Sequence, residues 1–274
     1  MKVERADAST DFAAAAARAD GPGGATGRTL AIVPAYNESA TVRQVVQAIR
    51  AAAPLIDVLV IDDGSTDDSS AIARREHAVV LRHPFNLGIG GAVQTGFLYA
   101  QEHGYDFMVQ VDGDGQHDPG EISRLFAAIE QHPHVDMVCG SRFIGSDHRY
   151  PAPISRRTGI HVFAFLLSRI VGQRVSDPTS GFRLYNRRAI ELFARDYPHD
   201  YPEVEAVLML HFHRLSMRET PVRMFVRGGG VSSIRSGKSV YYMIKVLLAM
   251  FVGLVRRRPV VEPGDASPAH AGSF

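Results

Sequence analysis

From Asp57 to Ser65 the chain reads DVLVIDDGS. Asp57–Ile61 is an aliphatic run too short for a helix, and it stops abruptly in Asp62-Asp63-Gly64-Ser65. That combination specifies a strand buried on both faces, ending in a polar turn. The same grammar recurs on either side. Thr29–Pro34 is a buried strand, and Val42, Val45, Val46 and Ile49 follow at the i, i+3, i+4, i+7 spacing of an amphipathic helix. Ala78–Leu81 is a third strand, Ile89–Glu102 a helix and Phe107–Val111 a fourth strand. Ile122, Leu125, Phe126 and Ile129 repeat the helical spacing before a fifth strand, Val135–Cys139. Apolar strands separated by helices specify an α/β fold, a single mostly parallel sheet with helices on both faces.

The chain has 274 residues, enough for one large α/β domain with a full core. Apolar residues at 45% and charged residues at 22% are ordinary for a folded globular protein. A formal net charge of +1 argues against a dedicated nucleic-acid binder. Cys139 is the sole cysteine, so no internal disulfide forms; its expected role is a small buried apolar residue, and a reducing cytosol is the expected compartment. Met1–Thr10 mixes charges of both signs and the apolar run after it is only alanine, unlike a secretory signal. Gly21-Pro-Gly-Gly24 separates that stretch from the fold, and no internal repeat is visible.

In a parallel α/β sheet the ligand sits beyond the carboxyl ends of the strands. Tyr36-Asn37-Glu38 follows the first strand, Asp62-Asp63 the second and Asp112-Gly113-Asp114 the fourth, so carboxylates distant in sequence gather at one edge. Two acids separated by one glycine can serve two ligands. One faces a ribose or base, and the other reaches a divalent cation bridging two phosphates. Mg²⁺ and Mn²⁺ take hard oxygen ligands and few protein groups beside phosphate. Gln116 offers a further hard oxygen. A bare Asp-x-Asp also occurs as a helix cap or on a surface; its place after a buried strand, beside Asp63 and Glu38, favours the metal.

Six motifs then stand in order: IVPAYNE (Ile32–Glu38), VIDDGSTDDS (Val60–Ser69), NLGIGGAVQTG (Asn86–Gly96), VDGDGQHDP (Val111–Pro119), GSRF (Gly140–Phe143) and DPTSGFR (Asp177–Arg183). Together they resemble family 2 glycosyltransferases of the GT-A fold, and within them the dolichyl- or polyprenyl-phosphate sugar synthases. The resemblance covers about Thr29 to Ser236. It implies a Rossmann-like GT-A domain over 28–236, with disordered tails at 1–27 and 259–274. Residues 237–258 would form a C-terminal membrane-associated helix.

The resemblance also implies roles. Pro34, Tyr36 and Glu38 match the nucleoside pocket, Asp63 the acid at the base, and Asp112 the acid near base and ribose. Asp114 and Gln116 match the metal ligands, for Mg²⁺ or Mn²⁺. Arg142 matches a cation near the diphosphate or acceptor, and Arg227, in VRGGGVSSI, an arginine that closes over the nucleoside-diphosphate sugar donor. The family often carries lysine between the glycines where this chain has Ile89, so that cation is absent or supplied by Arg142 or Arg227. The GxGxxG dinucleotide fingerprint fails, because Val93 stands at its third glycine. The expectation is that these glycines let the loop approach the donor. His117, inside the acidic motif, is expected to support the ligands from behind; His211 and His213 are expected to be structural or surface residues.

On the acceptor side, Asp177 is the expected general base or orienting acid, its alternative being a turn acid before Pro178. Arg156 and Arg157, ahead of the apolar Ile160–Val171, and Arg183 are expected at the acceptor. A hydroxyl acceptor needs a base, whereas a lipid phosphate is already anionic. Val240–Val255 is apolar, interrupted by Lys245 and shorter than a membrane span. Tyr241, Tyr242 and Arg256–Arg258 flank it as an interfacial segment would be flanked, so it is expected to dock on a membrane or a small membrane-protein partner, its alternative being a C-terminal helix packed on the domain. With no tryptophan, the QxxRW motif of processive members is absent.

The leading expectation is an inverting, metal-dependent enzyme at the cytoplasmic face of a membrane that moves one sugar to a polyprenyl phosphate. Transfer to a hydroxyl of a lipid-linked glycan is the nearest rival. A catalytically silent GT-A scaffold is a rival of another class, opposed by the intact acidic set. A nucleotidyltransferase would need an N-terminal glycine- and arginine-containing phosphate loop that this chain lacks.

Overall fold

A computed structural model describes residues 27–145, 154–199 and 201–225, with the side chains of 154–158 outside the described set. The expected helix at 237–258 and tail at 259–274, and all but the last residue of the expected tail at 1–27, lie outside the described residues. The elements run β1 (Thr29–Ala35), α1 (Val42–Ala52), β2 (Asp57–Asp62), α2 (Ser69–Arg75), β3 (Val79–Arg82), α3 (Gly88–Glu102) and β4 (Phe107–Gln110). A short 3₁₀ turn (Pro119–Glu121) leads into α4 (Ile122–Gln131), β5 (Met137–Ser141), α5 (Ile154–Val171), β6 (Arg183–Asn186), α6 (Arg187–Arg195), α7 (Pro202–Phe212) and β7 (Met217–Pro221).

The sheet has seven strands in the order β3-β2-β1-β4-β6-β5-β7. β6 pairs antiparallel with both β4 and β5, while β1 pairs parallel with β2 and β4, β2 with β3, and β5 with β7. The expected mostly parallel sheet is therefore present, and it is mixed through β6. Strand alternation builds two cores. Leu30, Ile32, Leu59 and Ile61 face a core shared with α3, α5, α6 and α7, and Ala31, Val33, Val58 and Val60 face one shared with α1 and α4. The helical positions Val42, Val45, Val46 and Ile49 are buried as their spacing requires.

Most boundaries fall within one residue of expectation, and two elements shift further. The fifth strand starts at Met137, because Asp136 is buried at its threshold and accepts from the Ser216 amide (2.8 Å) and the Asn186 side chain (3.1 Å). The helix expected from Ile160 begins at Ile154, so Arg156 and Arg157 fall within α5, their side chains outside the described set.

Candidate active site

The carboxyl ends of β1, β2 and β4 open into one cavity of about 900 Å³. Pro34, Tyr36, Glu38, Asp63, Asp112 and Asp114 all line it, so six of the residues singled out in the sequence converge there. The loops after β1 and β2 brace each other. Asn37 adopts a left-handed conformation (φ 57°), its amide donates to Ser65 Oγ (2.9 Å), and its side chain accepts from the Thr66 amide (2.8 Å). Buried Glu38 receives a hydrogen bond from Thr41 Oγ1 (3.2 Å), and the same hydroxyl lies 2.7 Å from the Gly113 carbonyl, tying the first loop to the Asp-Gly-Asp turn.

The two adjacent aspartates after β2 separate in role. Asp62 is fully buried and accepts from the Ser65 amide (2.8 Å) and the Ser70 hydroxyl, so it shapes the turn. Asp63 faces the cavity. Its Oδ1 accepts from the Leu87 amide (2.8 Å) and meets His83 Nδ1 at 2.8 Å, and its Oδ2 accepts from the Gly88 amide (2.8 Å).

Asp112 is held from below. Gln110 Nε2 donates to its Oδ1 (3.0 Å), and its own amide donates to His117 Nδ1 (3.0 Å). An amide can donate only to a bare ring nitrogen, so Nδ1 of His117 carries the lone pair. The ring is buried and stacks on Phe182 with centroids 5.0 Å apart, which places His117 behind the acidic motif. Asp114 and Gln116 are both half-buried, and the Gln116 amide donates to Asp114 Oδ1 (3.0 Å). Among the described residues no group of three or more His, Cys, Asp or Glu could enclose a metal by itself. The donor set here, one carboxylate and one amide oxygen beside an open cavity, suits a hard divalent cation whose remaining ligands are phosphate and water oxygens.

The glycines of the third motif differ in what the fold asks of them. Gly88 has φ +83°, and nothing would meet a Cβ there, so its need is conformational. A Cβ on Gly90 would lie 2.6 Å from the Pro198 carbonyl and from His199 Cα. That glycine admits the chain after α6 rather than a donor. Ile89 is 41% exposed on the cavity wall.

On the other side of the strand ends, Arg142 and Asp177 form a bidentate pair. Nε meets Oδ2 and Nη2 meets Oδ1, each at 2.7 Å, and the Arg142 amide adds a third contact to Oδ2 at 3.1 Å. The side chain of Asp177 is 0% exposed and that of Arg142 8%. The geometry therefore speaks against Asp177 as a free base, because its oxygens are committed to the guanidinium. Glu219 of β7 fixes the same loop by accepting from the Ser176 and Asp177 amides (both 2.8 Å), and burial raises its carboxyl above the ordinary range.

Arg183 is corrected outright. It is 1% exposed, with Nε donating to the Ser180 carbonyl (2.8 Å) and Nη2 to the Glu203 carbonyl (2.7 Å), so it anchors the chain beneath the site and does not reach an acceptor. Cys139 is buried and its thiol is pushed up to about 12, as an inert core residue requires. Arg227 lies outside the described residues. The chain approaches that position beside the loop after β4, where His117 and Met224 form a β-bridge and the Phe225 amide donates to the Gln116 carbonyl (2.7 Å). Sequence reasoning missed Thr41, His83, Gln110, Glu219 and Arg223, whose Nε donates to Glu121 (2.7 Å). Thr41, His83, Glu219 and Arg223 act on partners distant in sequence, and Gln110, only two residues from Asp112, reads as an ordinary strand position.

A three-layer α/β fold with an acidic cleft at its parallel strand ends has the GT-A architecture. The chain belongs to glycosyl transferase family 2, which it matches over residues 30–193. It is similar to polyprenol monophosphomannose synthase of Mycolicibacterium smegmatis, 31% identical over 233 residues, covering 81% of this chain and 86% of that protein. It is similar also to undecaprenyl-phosphate mannosyltransferase of Micrococcus luteus, 36% identical over 176 residues, 61% of this chain and 71% of the other. Among solved structures, glucosyl-3-phosphoglycerate synthase of Mycobacterium tuberculosis with Mn²⁺ and UDP-glucose shares the fold. Its TM-score is 0.61 at 20% identity, over 83% of this chain and 79% of that one.

Proposed function

We propose that this glycosyltransferase moves one sugar, with inversion, from a nucleoside diphosphate sugar to a polyprenyl phosphate at the cytoplasmic face of a membrane. The reading rests on one observation above others: Asp63, Asp112 and Asp114 meet in a single open cavity at the strand ends, while the carboxylate on the acceptor side is locked to Arg142. Pro34, Tyr36 and Glu38 form the nucleoside wall, and Asp63 and Asp112 face base and ribose. Asp114 and Gln116 would hold Mg²⁺ or Mn²⁺, which supplies charge stabilisation for the departing diphosphate. Arg142, fixed by Asp177, directs its cation toward the reacting phosphates, and Arg227 closes over the donor.

An anionic acceptor needs no proton removed, which fits a site whose Asp177 is not free to act as a base. A second cavity of about 550 Å³ runs along α5 next to this pair. Phe143, Phe165, Arg169 and Arg174 line it, and no carboxylate does among the described residues, which suits an amphiphile with an anionic head. Arg156 and Arg157 enter α5 at its start and would meet the same headgroup. The two relatives named above are, by their names, a polyprenol monophosphomannose synthase and an undecaprenyl-phosphate mannosyltransferase. The test is a panel of UDP-, GDP- and dTDP-sugars assayed with polyprenyl phosphate and Mn²⁺. Transfer to the lipid phosphate is the expected product. Transfer only to a hydroxylated acceptor would replace the acceptor, and no turnover of any donor would leave a silent scaffold.

A further inference from the structure

His83 follows β3 and plays no part in the reading above. Its amide donates to the Asp62 carbonyl (2.9 Å), which fixes the backbone, and its side chain is only 10% exposed. The ring bridges two elements, with Nδ1 2.8 Å from Asp63 Oδ1 and Nε2 2.9 Å from Thr95 Oγ1 on α3. A carboxylate can only accept, so the group opposite Asp63 must be Nδ1–H. The Thr95 hydroxyl can serve Nε2 as donor or as acceptor, since it also lies 2.9 Å from the Gly91 carbonyl.

The acceptor count at Asp63 now becomes informative. A carboxylate presents about four lone-pair positions. His83 and the Leu87 amide occupy both on Oδ1, and the Gly88 amide occupies one on Oδ2. One position on Oδ2 is left for a ligand in the cavity that Asp63 lines. We propose that His83 is a positioning residue that, with the Leu87 and Gly88 amides, holds Asp63 with a single acceptor open to the donor base. This selects a pyrimidine with one imino N–H over guanine. The inference rests on the reading that the cavity takes a nucleoside diphosphate sugar with its base at Asp63. Uracil and thymine each present one N–H between two carbonyls. Guanine presents two adjacent N–H groups, and the second would face a carboxylate already filled, leaving a buried donor unsatisfied.

The test is calorimetric titration of UDP and GDP, each with Mn²⁺, into the wild type, His83→Gln and His83→Asn. The asparagine amide nitrogen stands near the place of Nδ1 and keeps the bond to Asp63. The glutamine amide reaches the place of Nε2 and keeps only Thr95. UDP is expected to bind at least about tenfold more tightly than GDP, the factor set by about 1.4 kcal/mol. His83→Gln is expected to weaken UDP about tenfold and GDP by less than about threefold, and His83→Asn to recover UDP to within about threefold of wild type. Should His83→Gln fold poorly, Thr95→Val releases the far end of the ring and is expected to weaken UDP about threefold. GDP binding as tightly as UDP, or a folded His83→Gln with unchanged UDP affinity, overturns the inference while sugar transfer still supports the donor reading. A folded wild type that binds neither nucleotide overturns both.

Discussion

Asp177 shows how a neighbouring charge decides what a carboxylate can do. Its motif made it the natural base, but the guanidinium of Arg142, supplied by another strand, holds it in a buried bidentate pair. Breaking such a pair strands a charge away from water, so Asp177→Asn is expected to destabilise the fold by about 3–5 kcal/mol. The double variant Arg142→Met/Asp177→Leu is expected to recover most of that loss in urea unfolding while remaining inactive. Recovery of activity as well would remove Arg142 from the reaction. Asp114 is the opposite case, half-buried with its carboxylate at the cavity. Asp114→Ala is expected to lower turnover about a hundredfold or more at unchanged melting temperature. Assays across a Mn²⁺ series check it, and wild-type metal dependence in the variant would sink it.

At the scale of elements, the start of α3 is held by two constraints its sequence only half reveals. Its first turn hangs from Asp63, and its second glycine admits the chain at Pro198 and His199. Gly90→Ala drives a methyl into that backbone and is expected to cost about 1–3 kcal/mol, read as a lower urea midpoint with unchanged slope. The strands β1, β2 and β4 were legible because central parallel strands are apolar on both faces, and their polar ends declared the cleft. β6 was not legible: four residues, RLYN, opening with an arginine whose burial depends on carbonyls at Ser180 and Glu203. β7, METP plus one arginine, is an edge strand with exposed and half-buried positions, and such a strand needs no apolar run. The acids at strand ends could thus be named from sequence. Of the groups that aim them, His83 and Glu219 depend on tertiary pairing, and Gln110, two residues from Asp112, reads as one more strand residue until the fold is seen.

The whole molecule raises the question of how an enzyme of this fold would meet a lipid. Among the described residues no helix is long and apolar enough to cross a membrane. The described residues end at Phe225, hydrogen-bonded to Gln116 in the loop after β4. Residues 226–239 separate that point from the apolar Val240–Val255, and even fully extended they span at most about 50 Å. The apolar segment is therefore joined by a short tether to the edge of the sheet that carries the cavity. Arg256, Arg257 and Arg258 would each add about 1 kcal/mol near an anionic surface. Deleting the chain after Ser239 is expected to move the protein from membranes to the supernatant and to weaken transfer to long-chain polyprenyl phosphate at least about tenfold. Transfer to a short, water-soluble prenyl phosphate should change little, because the cavities and their acids lie in the retained part. Binding of the full chain to anionic vesicles should weaken as salt rises through the range where the Debye length falls below about 10 Å. If the truncated protein sediments with membranes as the full chain does, the apolar segment belongs against the domain, and the lipid must reach Arg142 by a route along α5 alone.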